Sequence, residues 1–215
     1  AYKAILLAQG EESYTLQTNE TWTGTRIFRG DVIIPVGKKL TLDGATVKFY
    51  TDAGITLQGL GSLLEIRNQS KLTNVCNNMW KGISMVLNPN SPPNPFANQD
   101  IYINNSTIEY AINALNVPYG VKVIAKNNTR FTNNTLSAFF NAAYYKNLSW
   151  FENCTFENNE EHLDPDHAQY MVKMLQNTGA AFYGCNFINN IPASLIKKHG
   201  IYAYSSKFTV AGSCS

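Results

Sequence analysis

Three columns of residues predict an all-β protein, a parallel β-helix (β-solenoid) of about seven coils. The first column contains large apolar residues that recur every 21 to 36 positions. Its members are Val47, Leu72, Ile108, Phe131, Phe156, Phe187 and Phe208. One short strand repeated at this period is the sequence signature of a solenoid.

Two further columns flank the first. Two residues before each large residue lies a small one: Ala45, Ser70, Ser106, Thr129, Cys154, Cys185 and Ser206. Positions i and i+2 of a strand share a face, so each coil is expected to point one small and one large residue inward. Asparagine pairs at 133–134, 158–159 and 189–190 follow the large residues. Because asparagine tolerates left-handed backbone and its amide can bond an amide one coil away, we expect these pairs at corners.

Short alternating runs joined by tight turns extend the pattern from Trp22 onwards. Residues 39–42, 55–58 and 62–66 read as strands, and glycine-containing turns separate them. Residues 1–21 show no clear repeat and are predicted to form a lead-in or cap segment, whereas residues 22–215 form the β-helix domain. No cap is recognisable after the last anchor, so we expect the helix to continue in a longer parent chain.

Composition argues against several classes of partner. The net charge is +2 and the basic residues are scattered, which gives no basis for binding nucleic acid. No run of roughly 18 apolar residues is present, so no membrane span is predicted. Charged residues make up only 15% of the chain, and asparagine occurs 26 times, which fits a surface of β-ladders and turns.

The early coils resemble a known family. The motifs are Ile33-Ile34-Pro35-Val36-Gly37-Lys38-Lys39-Leu40-Thr41-Leu42, Leu72-Thr73-Asn74-Val75-Cys76 and Met79-Trp80-Lys81-Gly82-Ile83. They look like the opening coils of right-handed, pectin-lyase-like β-helix segments in large secreted and surface proteins of Bacteroidetes-type bacteria, often type IX secretion cargo. The resemblance implies a right-handed helix, a secreted or cell-surface location and passage through secretion machinery. It covers roughly residues 22–86 by motif and 100–211 by architecture only.

Two long spacings contain predicted loop insertions. The first is proline-rich, residues 88–95, and the second, residues 160–171, contains His162, Asp164, Asp166 and His167. Carboxylates and imidazoles within six residues could hold a divalent cation, and calcium is the metal that an Asp-x-Asp pair suggests. The alternatives are a solvated acidic loop with Pro165 as the turn former, which we favour, and a catalytic role.

Two of the four cysteines fall in register. Cys154 and Cys185 occupy the small column on successive coils, which predicts Cα atoms about 4.8 Å apart, within reach of a disulfide. The alternative is a pair of buried thiols that fill the narrow column. Cys76 and Cys214 have no partner at the level of sequence.

Aromatic residues are the candidate ligand-binding groups. Tyr144, Tyr145 and Trp150 lie in aromatic pairs in which alternate residues must face outward. Exposed rings could stack on a surface glycan or pack against another protein. The alternative is ordinary core and loop packing over residues 135–150. Trp80 is expected to cap a coil.

The favoured function is therefore a non-catalytic secreted or cell-surface β-solenoid that acts as an adhesin, a binding segment or a structural spacer. The alternative is a carbohydrate-active enzyme, a polysaccharide lyase or hydrolase, or its glycan-binding remnant. Lyases need a cation or arginine beside a base, and hydrolases need paired carboxylates. No arginine aligns with an acidic column by spacing, and polygalacturonase and pectate-lyase motifs are absent. Fold alone does not imply an enzyme.

Overall fold

The computed structural model describes residues 10–59, 61–86, 99–118, 121–141, 147–163, 170–191 and 199–215. In this part of the chain every regular element is a strand. The strands are β1 Tyr14–Thr15, β2 Glu20–Phe28, β3 Val32–Ile34, β4 Lys39–Phe49, β5 Gly54–Gln58, β6 Leu63–Arg67, β7 Lys71–Asn74, β8 Trp80–Val86, β9 Gln99–Asn104, β10 Thr107–Glu109, β11 Ala111–Val117, β12 Val121–Lys126, β13 Arg130–Thr132, β14 Ala138–Phe140, β15 Trp150–Glu152, β16 Thr155–Asn158, β17 Tyr170–Leu175, β18 Thr178–Tyr183, β19 Asn186–Asn189, β20 His199–Tyr204 and β21 Lys207–Ala211.

The strands stack on three faces, and every pairing between them is parallel. Face one has the order β1-β3-β5-β8-β11-β14-β17-β20. The long strand β4 pairs with β6 through its first half and with β7 through its second half, which starts two further faces. Face two continues as β6-β9-β12-β15-β18-β21, and face three as β7-β10-β13-β16-β19. One strand per face and repeat is the arrangement of a parallel β-solenoid, as predicted.

Face three contains the predicted anchor column. Val47 pairs with Leu72, and the register continues through Ile108, Phe131 and Phe156 to Phe187. Phe156 is fully buried, and its ring stacks on Phe131 at 4.9 Å and on Phe187 at 4.8 Å. Alternation along each strand turns these residues inward and their polar neighbours outward.

The last member of the predicted column was wrong. Phe208 lies on β21, which belongs to face two, and it pairs with Ala180. Its side chain is 37% exposed, whereas Phe156 is fully buried. At the place in the ladder where Phe208 was expected lies Ser215, which pairs with Asn186, because its amide donates to Cys185 and its carbonyl accepts the Phe187 amide at 2.7 Å. Ser206 likewise leaves the small column, because its hydroxyl accepts the amide of Asn177 at another corner.

Of the asparagine pairs predicted at corners, the first behaves as expected, whereas Asn158 and Asn189 lie at the ends of strands β16 and β19. Asn133 and Asn153 have left-handed backbone, with φ of 54° and 52°. The Asn133 side-chain amide donates to the Asn159 side-chain oxygen of the next coil at 2.8 Å, and the Asn159 backbone amide donates back to Asn133. Asn134 is buried and accepts the Ala111 amide, so it satisfies backbone that turns from face three to face one.

An arginine covers the core at the amino-terminal end. On β2, Arg26 pairs with the inward residue Val47, so its guanidinium lies above the core. Its Cζ is 4.0 Å from the ring centroid of Trp22, and its Nε and Nη2 donate to the Glu11 carboxylate at 2.9 and 2.6 Å. Below it the rings of Trp22, Phe28, Phe49 and Trp80 form a continuous stack.

Both predicted insertions lie largely outside the described residues, since 87–98 and 164–169 are not described. The division at residue 22 stays a prediction, because strands β1 and β2 begin before it. Among the described residues no helix is long and apolar enough to cross a membrane.

Candidate binding surface

The outer side of face two contains an exposed tryptophan. On β15, Trp150 is 47% exposed while the next residue, Phe151, is fully buried, so the strand alternates outward and inward as predicted. Trp150 pairs in register with Ile124 on one neighbouring strand and Ala181 on the other. The neighbour on the carboxyl-terminal side, Ala181, is small, so its side chain covers little of the indole ring.

Trp150 forms an aromatic platform with a tyrosine of the next coil. The rings of Trp150 and Tyr183 lie 5.1 Å apart at an interplanar angle of 46°. Leu148, which precedes β15, is 61% exposed beside them. We call Leu148, Trp150 and Tyr183 the aromatic platform. The two rings lie on adjacent coils and are tilted against each other, so each ring offers its own face for stacking against a ligand.

A polar triad lies two coils before the platform on the same face. Tyr102 pairs with Ile124, which pairs with Trp150, so the three residues form one outward row. The Tyr102 hydroxyl donates to Asp100 Oδ2 at 2.8 Å, and Lys122 Nζ lies 3.1 Å from the same oxygen. The Asp100 side chain is only 9% exposed, and its Oδ1 accepts no hydrogen bond from the described residues. We call Asp100, Tyr102 and Lys122 the polar triad.

Burial and the Asp100 carboxylate shift the pKa values of the other two side chains of the polar triad. Burial raises the pKa of Tyr102, and its hydrogen bond to the Asp100 carboxylate raises the pKa further. Burial alone would lower the pKa of Lys122, but the hydrogen bond and the attraction of Asp100 outweigh it and raise the pKa. The lysine therefore stays charged and the tyrosine stays protonated around neutral pH, so both present donors beside a carboxylate.

Face three carries rows of paired charges. Glu109 and Glu157 lie on one outward row with Thr132 between them. Lys71 Nζ is 2.7 Å from Glu109, and Arg130 Nη2 is 2.6 Å from Glu157. Arg130 itself pairs in register with Thr107 and Thr155, so the expectation that it is not in register with an acidic row holds. Its ion pair runs diagonally to the next coil, and residue spacing alone does not show such a contact.

Only part of the predicted metal site can be located. His162 Nε2 lies 3.2 Å from the Asn134 carbonyl oxygen, and Glu161 accepts the Tyr110 hydroxyl at 3.2 Å, so the loop begins against the corner between faces three and one. Asp164, Asp166 and His167 lie outside the described residues. The described residues contain no group of three or more His, Cys, Asp or Glu placed to hold a metal ion. The calcium site stays a prediction.

The other candidate residues from the sequence are the tyrosines, Trp80 and the cysteines, and only some of them lie among the described residues. Tyr144 and Tyr145 lie outside the described residues. Trp80 is fully buried and stacks on Phe49 at 4.7 Å, so it belongs to the core, and its role as the cap of a coil stays a prediction. Cys154 and Cys185 are buried in register with both thiols free in this structure, so the disulfide stays a prediction.

Sequence reasoning missed Tyr183 and the polar triad. A usable signal exists for Tyr183, because it precedes Cys185 by two residues as Glu152 precedes Cys154, and this predicts an outward position beside Glu152. The triad depends on the 22-residue offset between Asp100 and Lys122, which becomes visible only when β9 and β12 are paired.

No protein-family model, no curated protein and no solved structure matches the chain. The resemblance of the early coils to exported bacterial β-helix segments therefore enters below as a proposal.

Proposed function

We propose that this protein is a non-catalytic secreted or cell-surface β-solenoid that binds a surface glycan through the aromatic platform on face two. The observation that carries the proposal is Trp150, which is 47% exposed and in ring contact with Tyr183 on a sheet of parallel strands. A large aromatic ring is costly to leave in water, and most tryptophans are largely buried. An exposed indole in contact with a half-buried tyrosine of the next coil is typical of a surface that binds something.

The dimensions of face two favour a sugar chain. Successive coils lie about 4.8 Å apart, which is close to the length of one pyranose ring. A glycan lying along the helix axis would therefore place one ring near each coil. Apolar faces of the rings would stack on Trp150 and Tyr183, while hydroxyl groups one and two coils before Trp150 would meet Lys122 and Tyr102.

The proposal includes the finer features that the sequence predicts. We infer a right-handed helix of about seven coils with two loop insertions, continued in a longer parent chain. The same proposal includes export through a type IX-like route and action as an adhesin or spacer. It also includes binding of another protein in place of a glycan. The resemblance of residues 22–86 supports these features.

Binding to soluble oligosaccharides tests the proposal. The protein would be titrated with β-linked glucose, xylose and mannose oligosaccharides while tryptophan fluorescence and calorimetric heat are recorded. We expect at least one series to bind, and we expect Trp150→Ala to weaken binding by roughly tenfold or more, since a stacked ring contributes about 1–3 kcal/mol.

Tyr204→Ala is the matched control, because Tyr204 is a 58% exposed aromatic residue on face one, away from the platform. This variant should bind like the natural chain. The proposal fails if no oligosaccharide binds, or if Trp150→Ala and Tyr204→Ala bind equally well.

A carbohydrate-active enzyme is the second candidate, and the Glu109–Glu157 row is the observation that favours it. The two residues are two coils apart, so their Cα atoms are separated by about 9–10 Å, near the spacing of inverting glycosidases. Such an enzyme needs one carboxyl group to donate a proton and the other to activate water, but here each carboxylate is held by a cation. We therefore expect no release of reducing ends or unsaturated products from soluble polysaccharides, and activity abolished by Glu157→Gln would establish the enzyme instead.

A further inference from the structure

The small column on the corner after face two changes chemistry along the helix. In the earlier coils it consists of hydroxyl residues, Ser70, Ser106 and Thr129, each of which donates to a carbonyl two or three residues before it. In the following coils it consists of Cys154 and Cys185, whose thiols make the same kind of bond, to Glu152 and Tyr183. The column therefore passes from hydroxyls to thiols.

Cys214 occupies the next position of this column. Its thiol donates to the Ala211 carbonyl at 3.1 Å. The three thiols also donate to equivalent carbonyls of the preceding coil: Cys154 to Ala125, Cys185 to Phe151 and Cys214 to Phe182. Those three acceptors are themselves in register on β12, β15 and β18. Three cysteines on three successive coils thus form one thiol column, in which Cys185 has a neighbour on each side.

The two ends of the thiol column differ in access. Cys154 and Cys185 are fully buried, whereas Cys214 is half-buried. An oxidant in solution therefore reaches Cys214 first, and Cys185 is the only column thiol next to it. The backbone amide of Cys185 lies 3.2 Å from Cys214 Sγ, which places that sulfur directly over the Cys185 residue.

The two candidate pairs also differ in how freely they can adjust. In-register residues on parallel strands have parallel side chains, so a disulfide needs the two Cβ atoms to approach slightly. Cys154 and Cys185 lie in a continuous ladder, in which Thr155 bonds Thr129, Asn186 bonds Cys154 and Ser215 bonds Cys185. Cys214 is half-buried whereas Cys154 is fully buried, so the Cys214 side chain has more room to turn towards Cys185.

We propose that oxidation joins Cys185 to Cys214 and leaves Cys154 as a buried thiol, so that the last described coil is covalently closed onto the coil before it. The reaction is ordinary thiol–disulfide exchange. The Cys214 thiolate attacks oxidised glutathione and releases one reduced glutathione. Cys185, after losing its proton, attacks the Cys214 sulfur of the mixed disulfide and releases the second. Two thiols are oxidised and one glutathione disulfide is reduced.

The electrostatics of the column agree with this pairing. The hydrogen bond with Cys185, together with burial, raises the pKa of the Cys154 thiol. The same hydrogen bond lowers the pKa of Cys185, because it stabilises the Cys185 thiolate. The thiolate is the reacting form, so of these two hydrogen-bonded thiols Cys185 loses its proton more readily, while the choice of Cys214 as its partner depends on the access of Cys214 to solvent.

Peptide mapping tests the proposal on the whole chain. The protein, carrying Cys76→Ser to remove the fourth thiol, is reduced, desalted, incubated with oxidised glutathione and digested without reduction. Cleavage after Lys146, Lys173, Lys197 and Lys207 places the three column cysteines on three different peptides. We expect the Cys185 and Cys214 peptides to be linked, with Cys154 alkylated only after unfolding. A link between Cys154 and Cys185, or no link after complete oxidation, would overturn the proposal.

Thermal unfolding gives a second measurement. The bridge closes a loop of 29 residues, so oxidation should raise the unfolding midpoint, on the order of 5–10 °C. Cys214→Ser should lose this rise, and Cys154→Ser should keep it. Serine is a close replacement, because hydroxyl residues occupy the same column position in the earlier coils. A rise that survives Cys214→Ser would contradict the proposed pairing.

Discussion

A single phenylalanine in the middle of the helix is stabilised from both sides along the axis. Phe156 is fully buried, and its ring is nearly parallel to Phe131 on one side and Phe187 on the other, at 8° and 4°. Each ring pair contributes about 0.5–1.5 kcal/mol beyond the burial of area. Removing one ring therefore interrupts two contacts and leaves a cavity inside a closed column.

We predict that Phe156→Ala lowers the free energy of unfolding by about 3–5 kcal/mol. Phe208→Ala is the matched control, since this ring is 37% exposed and lies outside the anchor column. It should cost about 1 kcal/mol or less. Chemical denaturation of both variants measures the difference, and equal losses would contradict the assignment of Phe208 to face two.

The position of Phe208 shows where residue patterns fail. Ser206-x-Phe208 repeats the small-x-large motif, but the Ser206 hydroxyl accepts the Asn177 amide at a different corner. A small residue with a hydrogen-bonding side chain suits either corner, and a large apolar residue suits any face. The motif therefore predicts a strand after a corner and leaves open which corner it follows. The hydrogen bonds between coils decide which corner the strand follows, and they place Cys214, not Ser206, in the column of small residues.

At the scale of the elements, strand β8 approaches strand β11 closely at a glycine. Gly82 on β8 has φ of 101°, and a Cβ there would lie 1.7 Å from the Asn113 carbonyl oxygen of β11. Next to it the β8–β11 register shifts between Asn113 and Leu115. A glycine inside a strand often marks such an irregularity or a close backbone approach. The sequence predicts an opening coil at Met79-Trp80-Lys81-Gly82-Ile83, but residue spacing gives no sign of this register shift.

We predict that Gly82→Ala destabilises the protein by about 2–4 kcal/mol more than Gly37→Ala does. Gly37 also has positive φ, 69°, but a Cβ there would meet no atom within 4 Å. The comparison therefore separates the steric clash from the cost of left-handed backbone. Equal destabilisation of the two variants, measured by denaturant unfolding, would show that β8 can move away from β11.

Strands β4 and β6 are joined by an ion network that makes stability depend on pH. Lys39 Nζ lies 2.7 Å from the Glu65 carboxylate, and Arg67 bridges Glu65 and Asp43. The hydrogen bond from Lys39, aided by the positive charges of Lys39 and Arg67, lowers the pKa of Glu65 below its ordinary value of 4.5 against the opposing effect of burial. The unfolded chain therefore takes up a proton on Glu65 at a higher pH than the folded chain does.

We predict a loss of stability on acidification that Glu65→Gln partly removes. The contribution of Glu65 is fully present above the unfolded pKa near 4.5 and disappears as the pH falls through the lower folded value. Unfolding midpoints measured from neutral pH to about pH 3 would show a shallower decline in the variant. Glu12→Gln, at a side chain that is 82% exposed, should leave the natural decline unchanged. A variant curve parallel to the natural one would contradict the role of Glu65.

At the scale of the whole molecule, periodicity was sufficient to predict the architecture. The anchor column from Val47 to Phe187 is stacked in the predicted register, because only one strand register turns all these residues inward. The candidate surface was less predictable. Alternation predicts that one residue of Trp150-Phe151 faces outward, but Tyr183 and the polar triad reach it from other coils. Such neighbours depend on the length of every intervening coil, and these lengths vary.

The cover at the amino-terminal end is a property of the whole helix that a single variant can test. Arg26 lies over Trp22 and is held by Glu11. We predict that Arg26→Ala lowers the unfolding midpoint by a few degrees, through lost packing on the ring and a lost ion pair of the order of 1 kcal/mol. Lys48→Ala should change it little, since no ion pair of Lys48 occurs among the described residues. The same midpoint in both variants would mean that the guanidinium adds nothing to the end of the core.

The first and the last described coils therefore differ in how well their residues are buried, and the rate of local opening should differ in the same way. Each coil is held only by its neighbours, so opening begins at an end and spreads along the axis. At one end lies the ring stack beneath Arg26, and at the other lie β19, β20 and β21, with Val210 48% exposed. Amide hydrogens should consequently exchange with solvent more slowly around β2 and β4, where Phe28 and Phe49 are fully buried, than around β21, where Val210 is exposed.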